Sequence, residues 1–156
     1  MWHMGDYRIV FRHEVFPSAK QVEKAMIKMA DKGYIKYPTT SSIKYTQMMS
    51  VVVLQKRITQ DGLTAWATLG VGYSFCQDDD QFCKWRGRLL AFVRANDQVA
   101  TPHHAAFVEM WNHNAGPQSR IVHTPYGFLT ENDWKHIQKL PEQRRRDVAD
   151  RLLIKC

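Results

Sequence analysis

The chain has 156 residues, 44% of them hydrophobic and 12% aromatic, with a formal net charge of +7. That length and composition exclude a disordered chain and one that needs disulfides or a structural metal to hold a core. No apolar run approaches the roughly 18 residues of a membrane-spanning helix, and Met1, Trp2, His3 and Met4 do not form the basic-then-apolar start of a secretory leader.

In chain order, the first predicted element is a helix in FPSAKQVEKAMIKMADKG. Ser18 and Gln21 are spaced as a capping box, and Gly33 supplies the left-handed stop. Val22, Ala25, Met26 and Met29 make its apolar face, while Lys20, Lys24, Lys28 and Lys32 recur every four residues on another. Such a lysine row reads first as a solvated face and second as a stripe turned toward an anion. A polar joint, YPTTSS, leads to two strands, IKYTQMMSVVVLQKRIT and LTAWATLGVGYSFC, separated by QDG. An Asp-Gly pair between two such runs predicts a hairpin. Gly70 and Gly72 then predict a bulge or a close backbone approach in the second strand.

Asp78, Asp79 and Asp80 stand where the next helix should begin. Carboxylates there satisfy free N–H groups and oppose the positive helix end, which explains them without a cation. Within that helix Cys83, Gly87, Ala91 and Ala95 fall four apart and form a ridge of small side chains, predicted to pack closely on the sheet or on a sister helix. Phe82, Trp85, Leu89, Phe92 and Val93 flank the ridge, and Arg86, Arg88 and Arg94 emerge from the remaining surface. ATPHHAAFVEMWNHNAGP predicts a helix closed by Gly116-Pro117, SRIVHTPYGF a short strand and turn, and LTENDWKHIQKL a helix capped by Thr130. PEQRRRDVADRLLIK is a last helix opened by Pro141. The order predicts one α+β domain over residues 1–156: a small antiparallel sheet, with the hairpin at its centre, packed by several helices.

Residues 1–60 hold ten Lys and Arg against four Asp and Glu, which is six of the seven net charges. This bias favours a phosphate-bearing partner. Arginine's planar fork matches phosphate oxygens, so Arg86, Arg88 and Arg94, with Arg57 from the hairpin, are the candidate anion contacts. Phe82 or Tyr73 is the candidate ring against a base. Lys44, Tyr45, Lys56 and Arg57, together with Arg144, Arg145 and Arg146, keep nucleic-acid binding as the alternative. An odd set of cysteines, Cys76, Cys83 and Cys156, fits reduced thiols and a cytoplasmic location. No Cys-x-x-Cys or His-x-x-x-His pair is present, and neither a phosphate-binding glycine loop nor a paired His-x-Ser/Thr signature occurs. No metal or cofactor is expected. His103, His104, His113 and His123 leave a phosphodiester-acting enzyme as the weakest alternative.

Gly72, Ser74 and Cys76, then Asp79, Phe82, Lys84, Gly87 and Arg88, then Ala91, Arg94 and Ala95 reproduce a pattern of small phage-encoded proteins. The stretch resembles that group and is similar to the phage Thoeris anti-defence sponges, which sequester cyclic nucleotide signals of bacterial immune systems. The likeness covers only the segment from Gly70 to Ala95, and it departs at Val93, where a glycine is common. It implies a phage-type counter-defence protein of the host cytoplasm that binds a cyclic nucleotide without cleaving it. The small ridge adds the expectation of a homo-oligomer, with no membrane partner.

Overall fold

Apolar and polar residues alternate through much of the N-terminal half, and this period-two pattern builds four strands. They are β1 (Trp2–Met4), β2 (Tyr7–Val15), β3 (Thr46–Gln60) and β4 (Leu63–Gln77). They form one antiparallel sheet in the order β1-β2-β3-β4. The structure, a computed structural model, describes residues 1–77 and 84–154. The expected roles of Asp78, Asp79, Asp80, Phe82 and Cys83 therefore fall outside the described residues. A second, two-stranded sheet pairs β5 (Ile121–Thr124) with β6 (Gly127–Thr130).

The helices are α1 (Ala19–Asp31), α2 (Thr40–Lys44), α3 (Lys84–Asp97), α4 (Thr101–Asn114), α5 (Glu131–Gln138) and α6 (Glu142–Leu152). With the sheets they make the α+β architecture expected from the element order. The Ser18–Gln21 capping box is formed, and Gly33 ends α1 at φ +83°. The polar joint YPTTSS contains more order than expected: Thr39 and Ser42 cap each other and start the short α2. The hairpin turn takes positive φ at both central residues, Asp61 and Gly62, the geometry that matches the twist of the flanking strands.

Strands β1 and β2 have no counterpart in the sequence expectations. Their signal was the alternation of Tyr7, Ile9, Phe11 and His13, whose register places Ile9 opposite Leu54, Phe11 opposite Val52 and His13 opposite Ser50. This face of the sheet carries α3 and α4. Its core gathers Ile9, Val52, Leu54, Phe92, Phe107 and Trp111, all fully buried or nearly so. Phe92 and Trp111 stack at 4.4 Å, and Trp2 closes the cluster 5.2 Å from Trp111. Burying each such side chain contributes about 1.5–3 kcal/mol. The opposite face is covered in part by α1, with Ala25 against Met49 and Val51 and with Tyr73 and Phe75 alongside.

The ridge of small residues explains how α3 sits. A Cβ on Gly72 would lie 1.9 Å from the Ala91 carbonyl oxygen, and one on Gly70 would lie 2.3 Å from that of Ala95. Helix and strand thus touch backbone to backbone. Gly87 continues the ridge over Ser50 and Ser74, and Ser74 Oγ donates to the Gly87 carbonyl at 2.8 Å. The sheet of the same chain occupies the ridge, so the ridge leaves nothing for a sister helix. The inference from it to a homo-oligomer loses its basis.

Candidate functional site

Outside the ridge, α3 turns two kinds of side chain toward solvent. At about 100° per residue, Arg86, Leu90, Val93 and Arg94 share one flank, whereas Arg88 points well away from it. That flank forms one wall of a cleft of about 670 Å³. Gly33 and Tyr34, after α1, line one end, and Thr130, Asn132 and Asp133, at the start of α5, line another part. Gln118 and, at the end of α6, Arg151, Leu152, Leu153 and Ile154 also line it. Trp85, Leu90 and Leu152 are each about two-fifths exposed, at 41%, 39% and 38%. The cleft therefore combines three guanidinium groups with an unusually open apolar lining.

Arg94 is the best fixed of the three. Its Nη1 donates to the Tyr73 carbonyl at 2.7 Å, and its guanidinium carbon lies 5.9 Å from the centre of the Tyr34 ring. Tyr34 is held in turn by its hydroxyl on the Asp97 carboxylate. β4 is an outer strand of the sheet, and its outward carbonyls need donors. Arg94 supplies one for Tyr73, and Gln98 Nε2 supplies one for Val71 at 2.7 Å. Burial lowers the Arg94 pKa from its ordinary value, with the neighbouring Tyr34 opposing the shift, yet an arginine stays charged at any physiological pH. Among the described residues none of Arg86, Arg94 and Arg151 has a carboxylate ion-pair partner. Three positive charges around one cleft, against Asp133 as the one acid among its described lining residues, can accept a phosphate, and Trp85 beside Arg86 can face a flat ring.

The outer wall is held by a small separate cluster. Leu129, Ile137 and Ala149 are fully buried there with Tyr126, Trp134, Val148 and Leu153 around them. Glu131 links this wall to the rest of the chain, pairing with Arg120 at 3.0 Å and with Lys135 at 3.3 Å. The hydrogen bond from Lys135, its charge and the Arg120 contact hold the Glu131 carboxyl below its ordinary pKa against the opposing effect of burial. Thr130 Oγ1 caps α5 by accepting from the Asp133 amide at 3.2 Å, as its position in the sequence predicts.

The remaining candidates do not converge on this cleft. Arg88 reaches across the sheet, its guanidinium carbon 5.1 Å from the Phe11 ring centre. Arg57 pairs with Asp6 at 3.2 Å and lies opposite Trp66, six residues along β3 from the Val51–Tyr73 pair. That is about 20 Å at the rise of an extended strand. Tyr73 contributes its carbonyl to Arg94, but its ring packs on the opposite face with Met49 and Val51. Its ring, expected against a base, is therefore not part of this cleft, since Gly72 is the residue that meets α3.

The hairpin cations are also divided. Lys44 is beside Tyr45 at one end of the sheet, and Lys56 lies 5.7 Å from the Tyr7 ring, on the face away from Arg57. Of the three consecutive arginines, Arg145 donates to the carbonyls of Leu140 and Gln138 at the end of α5, and Arg146 lies 5.3 Å from the Tyr126 ring. Among the histidines, His103 Nδ1 is 2.9 Å from the Tyr7 hydroxyl, and His123 packs on Phe128. The sequence reading missed Arg151 and took Trp85 for a packing residue. The signal for Trp85 was its place next to Arg86 on the flank of α3 opposite the small ridge. No helix among the described residues is long and apolar enough to cross a membrane. Comparison of the chain with protein-family models, with curated proteins and with solved structures finds no match.

Proposed function

We propose that this protein binds a small phosphorylated ligand carrying a flat ring and holds it uncleaved in the cleft between α3 and α6. A cyclic nucleotide is the first candidate, because the Gly70–Ala95 segment resembles the phage anti-defence sponges. The observation that carries the reading is the cleft itself: Arg86, Arg94 and Arg151 border it without carboxylate ion-pair partners among the described residues, next to exposed Trp85, Leu90 and Leu152. Its volume is in the range of ordinary small-molecule sites. Arginine forks take the phosphate oxygens and Trp85 takes the ring. The action is sequestration in the cytoplasm, that of the infected host if the protein is phage-encoded. Because one chain builds the cleft, the proposal requires no assembly.

Native mass spectrometry of protein purified from bacterial cells tests this reading, repeated after denaturation and after incubation with 3′,5′-cyclic and cyclic dinucleotides. The expected result is a bound phosphate-containing mass that is released unchanged, and that Arg86→Ala and Arg151→Ala no longer retain. A hydrolysed ligand would make the protein an enzyme. Failure of every cyclic nucleotide to bind would reject the assignment.

A further inference from the structure

The two faces of the main sheet are unequally covered. α3 and α4 pack on one face, whereas on the other α1 packs over Met49 and Val51, with Val53, Val71, Tyr73 and Phe75 beside them. Beyond Val53 and Val71 on that second face the strands continue, and their register brings His3, Arg8, Gln55, Arg57, Trp66 and Thr68 together. These side chains are organised. Arg8 Nε donates to Gln55 Oε1 at 2.6 Å, and Gln55 Nε2 donates to Thr68 Oγ1 at 3.1 Å. Trp66 is at the centre: the Arg8 guanidinium carbon is 4.2 Å from its ring centre, that of Arg57 is 5.7 Å away, and His3 meets it edge-on at 5.6 Å.

Charge on this side is positive on balance. Arg12 points to the same face as Val51, its partner in register, and it is exposed. So are Lys20, Lys24, Lys28 and Lys32 of the helix lying on that face. Seven of the ten cations of residues 1–60 are thus gathered here, against Asp6, Glu14, Glu23 and Asp31. An open, slightly pleated surface with an aromatic ring, planar guanidinium groups and amide and hydroxyl partners suits unpaired bases, which stack on such groups while cations hold the backbone. A purely acidic protein partner would use the cations but leave Trp66 without a role.

We propose that this open half of the sheet binds single-stranded nucleic acid. One base joins the stack formed by Arg8 and Trp66, Gln55 and Thr68 meet base edges, and Arg12, Arg57 and the α1 lysines take phosphates. The surface lies on the face of the sheet away from α3, so it is separate from the cleft and does not depend on the cleft's ligand.

Fluorescence anisotropy of the full chain with labelled oligothymidine and oligouridine provides the test. Binding is expected at low salt, with affinity falling steeply as salt rises. Trp66→Ala should weaken it about tenfold, the effect of removing one base stack, while circular dichroism stays that of the parent. Trp66→Phe should recover part of the loss. Arg12→Gln should lower the affinity and reduce the salt slope by about one, and it decides the matter if Trp66→Ala does not fold. Undiminished affinity in a folded Trp66→Ala and in Arg12→Gln would overturn the proposal. So would equal binding of duplex DNA, or competition by polyglutamate as effective as that by unlabelled oligothymidine, which would assign the face to acidic proteins.

Discussion

The two sides of α3 are made of opposite materials. Toward the sheet, Ala91 and Ala95 meet Gly72 and Gly70 so closely that main-chain atoms are in contact, and Gly87 lies over the side chains of Ser50 and Ser74. Away from it, Arg86, Leu90 and Arg94 stand beside an open cleft. The inner side has one task, to seat the helix, and every residue on it is spent on that task. The outer side carries more charge and exposed apolar surface than seating a helix requires, and this surplus is what points to a ligand. Arg94 belongs to both descriptions, because it faces the cleft while one of its N–H groups completes the hydrogen bonding of β4.

The sharpest way to break this comparison is at the glycines. Gly72→Ala drives a methyl group into the Ala91 carbonyl, which a side-chain rotation cannot relieve, and should cost about 3 kcal/mol or more by urea denaturation. Gly87→Ala meets side-chain hydroxyls and no backbone, that of Ser50 at 2.8 Å and that of Ser74 at 3.4 Å, and the Ser50 hydroxyl can turn aside at the expense of its 2.9 Å contact with His13. The gain in helix propensity, about 1 kcal/mol, should leave this variant within about 1 kcal/mol of the parent. Equal stability of the two variants would mean that the inner side is not locked by backbone contact.

The next effect separates the arginines. Arg86→Ala should lose ligand while keeping stability within about 0.5 kcal/mol. Arg94→Ala should lose ligand and also about 1–3 kcal/mol of stability, because it leaves the Tyr73 carbonyl without its donor. A fully stable Arg94→Ala would place that residue wholly on the outer side. The smallest effect concerns the outer wall. The Glu131 carboxyl is held below its ordinary pKa, so its stabilisation is complete above the ordinary carboxylate range and is lost as pH falls through the lowered folded-state value. Glu131→Gln should flatten the acid limb of a thermal-melting profile; an unchanged limb would remove Glu131 from the account of the wall.

Much of this organisation was legible before the fold was known, and the gaps follow from distance along the chain. The Ser18–Gln21 box, the Asp61-Gly62 turn and the Thr130 cap are local, and each forms as read. The small ridge announced close packing, but only strand order shows that Gly70 and Gly72 receive it. The Asp-Gly hairpin drew attention from Tyr7, Ile9 and Phe11, whose alternation was equally visible. Arg86 and Arg94 were recognisable as one helix's surface residues, whereas Arg151, more than fifty positions later, joins them only through tertiary packing. Tyr73 illustrates the cost of ignoring the pleat: it neighbours Gly72 in sequence and faces the other way.

The outer strands of the main sheet carry one more consequence. β1 is three residues long, and β4 has its outward carbonyls at Val71 and Tyr73 already occupied by Gln98 and Arg94. A sheet closed in this manner offers little template on which a second copy can continue the ladder. Arg94, at the proposed ligand cleft, thereby also occupies part of the edge on which copies could zip into fibres, and Arg94→Ala is expected to aggregate more readily than the parent.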